Sequence, residues 1–373
     1  MTVFLLAATV FVSLHAGIMM AMSIAAALHR PTPPPAPAEL PRLAIIVAAR
    51  DEELNLPRCL EALLAQDYPS DRLDIYVADD HSTDATADVI RQFQDLSNES
   101  AGHSVHYVTV QDPSGHLKGK ANALHTAIET SNHEIVLITD ADCVPPPLWA
   151  YNHTAYFADP AVGMVCGHAY VEQRTLLDAI QALDWSYLLT SASVLNEMGM
   201  PITAMGNNMG LRRRAYEAVG GYPALPFSVT EDYLLFQTIA RQSGEQVRFS
   251  LDHSLHTNTL PLKHLVDVYR QRRRWARGGL RAPVGIYALY VVAHLAHLLP
   301  ALGLFLAPLW ALGLIALKML GDFSLLWVGL GISQRRKLLR AFLLFEAYLF
   351  AYMISLPLAL AVSRRINWKN RKL

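Results

Sequence analysis

The chain has 373 residues, of which 52% are hydrophobic and only 17% charged, and its mean hydropathy is positive. This excludes an ordinary soluble protein, since part of such a chain belongs in lipid. A formal net charge of −1 gives no overall case for nucleic acid as a partner, and Cys59, Cys143 and Cys166 are too few and too scattered for a disulfide framework or a zinc site. The globular part is therefore expected in a reducing cytoplasm.

Val3 to Leu28 is almost continuously apolar. At about 1.5 Å per residue such a run crosses a hydrocarbon core of about 30 Å. A cleaved signal peptide would need a basic start and a shorter core, and no Lys or Arg precedes Arg30. Residues 1–29 are thus expected to be a transmembrane helix. Arg30 and Arg42 favour a cytoplasmic side for the chain beyond the helix. Residues 30–42 read as a Pro-rich linker, with Pro31 to Pro37 a stiff extended spacer.

From Leu43 the texture changes to apolar strands alternating with amphipathic helices. The pattern predicts strands over Leu43 to Ala48, Leu73 to Ala78, Val105 to Val110 and Ile135 to Thr139. Helices are predicted over Glu52 to Ala65, Ala85 to Phe93 and Lys120 to Glu129. Repeated βα units of this length imply an α/β fold, a doubly wound and mostly parallel sheet with functional residues on the loops at the carboxyl ends of its strands. Four such ends carry polar chemistry: Ala49 to Glu52, Asp79 to Ser82, the loop through Lys118 and Lys120, and Asp140-Ala-Asp142.

The last of these comes after a short apolar run and precedes three prolines, Pro145 to Pro147, that cannot donate to a ladder. Two aspartates at the tip of a buried parallel strand supply hard oxygen ligands suited to Mg²⁺ or Mn²⁺ with a diphosphate; the other reading is a solvated turn. Each neighbouring group also has a plainer reading. Asp79 and Asp80 can start a turn and cap the next helix, Arg50 and Glu52 can be a solvated first turn, and Lys118 and Lys120 can be surface charge. Together on one rim they form a nucleotide-sugar site: a carboxylate for an imide, a lysine for phosphates and a metal pair.

The ordered runs Ile46 to Glu53, Val77 to Asp84, Lys118 to Leu124 and Asp140 to Asp142 resemble the motif set of family-2 glycosyltransferases with a GT-A fold, a Rossmann-like catalytic domain. The resemblance covers roughly Leu43 to Leu280. Where many relatives have Tyr-Asn before the acidic pair, this chain has Arg50-Asp51. It implies a nucleotide-sugar donor, UDP-linked, touched by Ala48, Arg50, Glu52, Asp79, Asp80, Lys120 and Asp140. Asp140 and Asp142 would hold the metal.

Beyond the acidic pair the chain predicts a strand over Val162 to Cys166 and a helix over Leu176 to Met198. The glycines in Ala204 to Arg214 and Gly220 to Pro223 read as turn-formers; by resemblance the region forms the floor under the donor sugar. Thr230-Glu-Asp232 opens a helical pattern, Tyr233 to Ala240, and its acids can serve as caps and dipole partners. The resemblance makes Asp232 the general base of an inverting transfer. Glu231 has no distinct role in the motif.

Leu262 to Leu280 is amphipathic and basic, the pattern of an interfacial helix on anionic lipid. Within it, Gln271-Arg-Arg-Arg-Trp275 resembles the Gln-x-x-Arg-Trp signature of membrane-embedded polysaccharide synthases and glycolipid-forming relatives. There glutamine and tryptophan border the acceptor and arginine approaches the diphosphate, which implies these roles for Gln271, Trp275 and Arg274. The helix would position a lipid hydroxyl under Asp232.

From Val284 to Val362 the chain is again membrane-like, and three spans are expected, the middle one with Lys318 and Asp322 near a break. Arg335 to Lys337 and the tail Arg364 to Lys372 are both basic, which a single span between them contradicts; a re-entrant or interfacial final segment would resolve it. The expected division is therefore 43–260 for the catalytic domain, 261–282 for the interfacial helix, 283–363 for carboxyl-terminal membrane helices and 364–373 for a basic tail. Taken together, the expectation is a multi-pass protein of the cell membrane with a cytoplasmic catalytic domain, transferring one or a few sugars to a membrane lipid acceptor. A processive polysaccharide synthase and a non-catalytic subunit of a synthase complex are the competing expectations.

Overall fold

The computed structural model describes residues 1–29, 34–35, 39–100, 102–111, 117–280, 284–362, 367–368 and 371–372. Arg30, Arg281, most of the Pro31 to Pro37 spacer and most of the 364–373 tail lie outside the described residues. In chain order the elements are α1 (Thr2–Leu28), β1 (Leu43–Ala49), α2 (Leu56–Leu64), β2 (Leu73–Asp79), α3 (Thr86–Glu99), β3 (Ser104–Thr109), α4 (Lys120–Thr130), β4 (Ile135–Asp140), β5 (Cys143–Val144) and α5 (Trp149–Tyr156). Next come β6 (Val162–Cys166), β7 (Ala169–Val171), α6 (Leu176–Glu197), β8 (Asn208–Arg212), α7 (Arg213–Ala218), α8 (Gly221–Ala224), α9 (Glu231–Gln242), β9 (Gln246–Phe249), β10 (Thr257–Thr259) and α10 (Leu265–Gly279). The carboxyl-terminal helices are α11 (Val284–Gly303), α12 (Pro308–Ile332) and α13 (Phe342–Val362).

The chain forms two compact units, one of Pro31–Tyr170 with Leu195–Leu260, the other of Met1–Arg30, Val171–Val194 and Pro261–Leu373. In the first, strands covered on both faces must be apolar along their length, and β1 is, as is β4 up to Thr139 and Asp140 at its carboxyl end. They lie in a seven-stranded sheet of order β3-β2-β1-β4-β8-β6-β9. Strands β3, β2, β1 and β4 run parallel; β8 is antiparallel to both β4 and β6. The doubly wound, mostly parallel sheet expected from the sequence is therefore present. Helices cover it through Leu56, Leu60, Leu63, Ile90 and Trp149, all buried against Ile45, Val47, Ile75 and Leu137. Each such side chain contributes about 1.5 to 3 kcal/mol.

Two local expectations need correction. The helix predicted from Glu52 begins at Leu56, with Pro57 in its first turn where a missing N–H is harmless. The backbone N–H of Glu52 donates to Thr86 Oγ1 and that of Glu53 to Asp84 Oδ2, so both residues belong to a loop. The glycine-rich run after Ala204 contains β8, and Gly210 serves packing: a Cβ there would lie 2.8 Å from Leu137 and 3.0 Å from Phe157.

In the second unit, α1, α11, α12 and α13 are long and apolar enough to cross a membrane. The apolar run Val284 to Leu317 divides at 304–307, and Pro308 opens the next helix. The sequence suggests a break near Lys318 and Asp322, but they lie one turn apart inside a continuous α12. The helix tolerates them because their charges are met: Lys318 Nζ is 2.8 Å from Asp322 Oδ2 and 2.6 Å from Glu346 Oε2. Asp322 Oδ1 also takes His15 Nε2 at 2.9 Å and the Tyr187 hydroxyl at 2.7 Å. Beside this network Gly321 packs on the backbone of Ala16, where a Cβ would come within 2.9 Å, the small-residue contact by which membrane helices approach closely.

Candidate active site

Register gathers the acids of the first unit. Ala49 on β1 faces Asp79 on β2, and Ala48 faces Asp140 on β4. Neighbouring strands lie about 4.8 Å apart, so the carboxyl ends of three strands place Arg50, Asp79, Asp80 and Asp140 along one rim. The chain leaves β1 for β2 on one side and reaches β4 on the other, which opens the crevice where such sheets take ligands.

The first two loops are laced together. Asp51 adopts φ 51°, tolerable for a short polar side chain that bonds locally, and its Oδ1 accepts from Thr83 N at 2.8 Å. Arg50 Nη1 donates to the Asp80 carbonyl at 2.7 Å and lies 3.6 Å from the Asp80 carboxylate. Asp79 accepts from Ser82 N at 3.0 Å and from the Tyr107 hydroxyl at 3.1 Å. Glu52 Oε2 accepts from Asn55. Ala48, Arg50, Glu52, Asp79 and Asp80 thus belong to one pair of interlocked loops.

At the next strand end Lys120, the first residue of α4, holds Asp140 Oδ1 at 2.5 Å and stands 3.9 Å from Glu231 Oε1. Burial alone would lower the Lys120 pKa, but the carboxylates of Asp140, Glu231 and Asp232 raise it. Asp142 goes the opposite way for a carboxyl: burial, then the charges of Asp140 and Glu52, push it up to about 7 against the pull of Lys120. Crowded acids of this kind gain from a cation. Among the described residues no three His, Cys, Asp or Glu side chains converge as a complete metal cage. Two carboxylates fit an ion such as Mg²⁺, which keeps waters and takes its remaining ligands from substrate phosphates.

Asp232 lies in the first turn of α9. Its Oδ2 accepts from Gly206 N and its Oδ1 from Tyr233 N, both at 2.8 Å. Only glycine fits at 206, where a Cβ would sit 2.8 Å from Asp232 Oδ2 and 3.0 Å from its Cβ. Each carboxylate oxygen keeps a further lone pair, so the group can still accept a proton. Lys120 joins Asp140 to Glu231, one residue from Asp232, so the strand-end acids and the start of α9 form a single cluster. Glu231, for which the sequence suggests no role, shares that lysine with Asp140; the signal was its place beside Asp232.

In the second unit α10 carries Gln271, Arg274 and Trp275. Gln271 Oε1 accepts from Arg272 Nη1 at 3.1 Å. Arg272 itself is buried and paired with Asp184, two residues that the motif does not single out.

Residues 41–278 match the family model described as glycosyltransferase like family 2. The chain is 28% identical over 244 residues to the probable glycosyltransferase YdaM of Bacillus subtilis, across 64% of this chain and 56% of that one. It is 27% identical over 248 residues to the beta-monoglucosyldiacylglycerol synthase of Synechocystis sp., across 64% and 48%. The chain thus spans about half the length of the curated relatives it matches. Among solved structures it is similar to a mannosyltransferase of Pyrobaculum calidifontis in complex with GDP-Man and Mn²⁺, with a TM-score of 0.61 and 22% identity across 95% of this chain and 99% of that one. That likeness bears on the fold, which is GT-A.

Proposed function

We propose, from the premise that this chain belongs to glycosyltransferase family 2, that it moves one or a few sugars from a nucleotide-sugar to a hydroxyl of a membrane lipid, inverting the anomeric carbon. Membership rests on the match over 41–278. The lipid acceptor is the finer claim, and one observation carries it: α1 and α12 are packed seam to seam, Gly321 on Ala16, with His15, Lys318, Asp322 and Glu346 filling the space between helices. A growing hydrophilic polymer needs a wall around a passage, because unpaired polar groups in lipid cost several kcal/mol each. A lipid hydroxyl needs only to reach the interface. The name of the Synechocystis relative, a diacylglycerol glycolipid synthase, supports the same class.

In this reading Ala48, Arg50, Glu52, Asp79 and Asp80 hold the nucleoside, UDP-linked as the motif resemblance implies, and Lys120 approaches the diphosphate. A divalent ion held by Asp140 and Asp142 would offset the negative charge that grows on the leaving diphosphate; the Mn²⁺ and GDP-Man of the Pyrobaculum complex support both the ion and the donor class. Asp232 takes the proton of the acceptor hydroxyl as its oxygen attacks the anomeric carbon. One C–O bond forms, the bond from sugar to phosphate breaks, and the nucleotide leaves with the electron pair. Gly206 N–H and Tyr233 N–H fix the base. Gln271, Arg274 and Trp275 serve acceptor and diphosphate from an interfacial helix, 261–282, next in the chain after a catalytic domain, 43–260. We place that domain in the cytoplasm of a multi-pass membrane protein, with membrane helices in 1–29 and 283–363, a linker over 30–42 and a basic tail over 364–373. A non-catalytic role is opposed by the presence of Asp140, Asp142, Asp232 and the Gln271 to Trp275 motif together.

The test is to give nucleotide-sugar to the purified protein in lipid vesicles. An organic-soluble product heavier than a vesicle lipid by one hexose or one N-acetylhexosamine is expected. A high-molecular-weight product that resists organic extraction would overturn the lipid acceptor in favour of a polysaccharide synthase.

A further inference from the structure

We infer that Asp184 and Arg272 are positioning residues for Trp275, a buried ion pair that sets the indole where the acceptor meets α10. The inference rests on the reading that Trp275 borders the acceptor.

Arg272 is only 3% exposed and Asp184 only 7%. Taking both charges out of water carries a large desolvation penalty before their attraction is counted. Arg272 Nε donates to Asp184 Oδ2, and the Tyr348 hydroxyl of α13 donates to the same oxygen at 3.1 Å. The carboxylate on α6 is therefore held from two other helices. With Nε so anchored, the guanidinium lies over the Trp275 ring, 4.1 Å from its centroid. Trp185, one residue from Asp184, meets Trp275 edge to face at 5.2 Å and 65°. The indole is fixed by a cation on its face and a ring against it.

Stability does not account for this arrangement. Apolar residues of similar volume often replace a buried pair at no loss, and Arg272 Nη2 has no hydrogen-bond partner among the described residues, which is unfavourable for a buried donor. What the pair supplies is geometry. Arg272 and Trp275 are three residues apart on one face of α10, and only a planar guanidinium can bond a carboxylate in its plane while stacking on an indole. Its Nη1 also donates to Gln271 Oε1, so one side chain orients two members of the motif.

The test compares wild type with Arg272→Lys, Arg272→Met and Asp184→Asn in vesicles, measuring KM for acceptor lipid, kcat, melting temperature and hydrolysis of the donor to free sugar without acceptor. The KM for acceptor is expected to rise about 10-fold or more in both Arg272 variants, the scale of a lost desolvated cation–π contact. Donor hydrolysis should stay within about 2-fold of wild type, less than a single neutral hydrogen bond is worth. The double variant Arg272→Met with Asp184→Asn, which removes both buried charges, should keep its melting temperature and still lose acceptor affinity. An unchanged acceptor KM in both Arg272 variants overturns the inference, as does a parallel fall of transfer and donor hydrolysis together with melting temperature, the mark of a structural pair. A wild type that elongates a polymer would defeat the lipid acceptor alone, and the split between acceptor KM and donor hydrolysis would still judge the pair.

Discussion

Lys120 Nζ lies 2.5 Å from Asp140 Oδ1 and 3.9 Å from Glu231 Oε1, so one cation spans the end of β4 and the start of α9. It is also the charge that restrains the Asp142 pKa. Replacing it should therefore disturb more than one carboxylate. Lys120→Met is expected to weaken nucleotide binding by roughly 10-fold to 100-fold, the worth of about 1.5 to 3 kcal/mol for a hydrogen bond to a charged group. Titration calorimetry with the nucleoside diphosphate checks this; an unchanged Kd would mean the lysine serves only its neighbours.

Turnover of donor should require a divalent ion, and Asp142→Asn should lose it. Asp140 and Asp142 would hold the ion together, and the leaving diphosphate needs that charge. Undiminished turnover in excess chelator would sink the prediction.

Asp232→Asn should lower transfer by roughly 10²-fold or more while nucleotide affinity stays nearly intact, as for a positioned base that is removed. Gly206→Ala should act in the same direction through the base, because its Cβ would come within 2.8 Å of Asp232 Oδ2. Separate measurement of nucleotide Kd and of the rate at saturating donor decides. Weaker binding with an undiminished rate would make Asp232 a donor ligand or a cap.

How much of the fold and site is legible in the sequence depends on what each residue answers to. The strands β1 and β4 are readable because a strand covered on both faces is apolar throughout, and the acids at their tips stand out against that background. The start of α2 is not, since Glu52 and Glu53 look helical by themselves and are claimed by Thr86 and Asp84, about 30 residues on. Gly210 reads as a turn-former until Leu137 and Phe157 are seen to occupy the space its side chain would need. Lys318 and Asp322 suggest a broken helix until His15 and Glu346 supply partners from other helices. Local pattern is visible in each case, and distant compensation is not.

His153 offers a pH test of the first unit. It is fully buried and bonds Asn208 Oδ1 at 2.9 Å, beside the indole N–H of Trp149 on the same oxygen. Burial pushes its pKa down to about 4, although the Asn208 bond opposes the shift. The unfolded chain, with an ordinary value near 6.5, binds the proton more readily. The neutral side chain's contribution is thus fully present above about pH 6.5 and erodes as pH falls towards about 4, by about 3 kcal/mol in all. Thermal unfolding of wild type should show this acid loss and His153→Gln should flatten it; equal slopes in the two proteins would contradict it.

The pairing of His15 with Asp322 joins residues 307 positions apart, which gives the second unit an order of birth. In the multi-pass reading proposed above, helix α1 leaves the ribosome and meets the bilayer long before α12 exists, with a polar ring that lipid does not satisfy. Until α12 arrives with its own lysine already matched to an acid one turn away, α1 is an incomplete part. Ribosome-stalled chains that end after α11 should therefore keep α1 beside the insertion machinery, measurable by crosslinking from position 15, and release it once α12 has emerged; release before α12 would show that α1 is self-sufficient. Assembly would then be decided by the latest partner to appear, and a chain cut short would carry an exposed imidazole as the mark by which membrane quality control could recognise it.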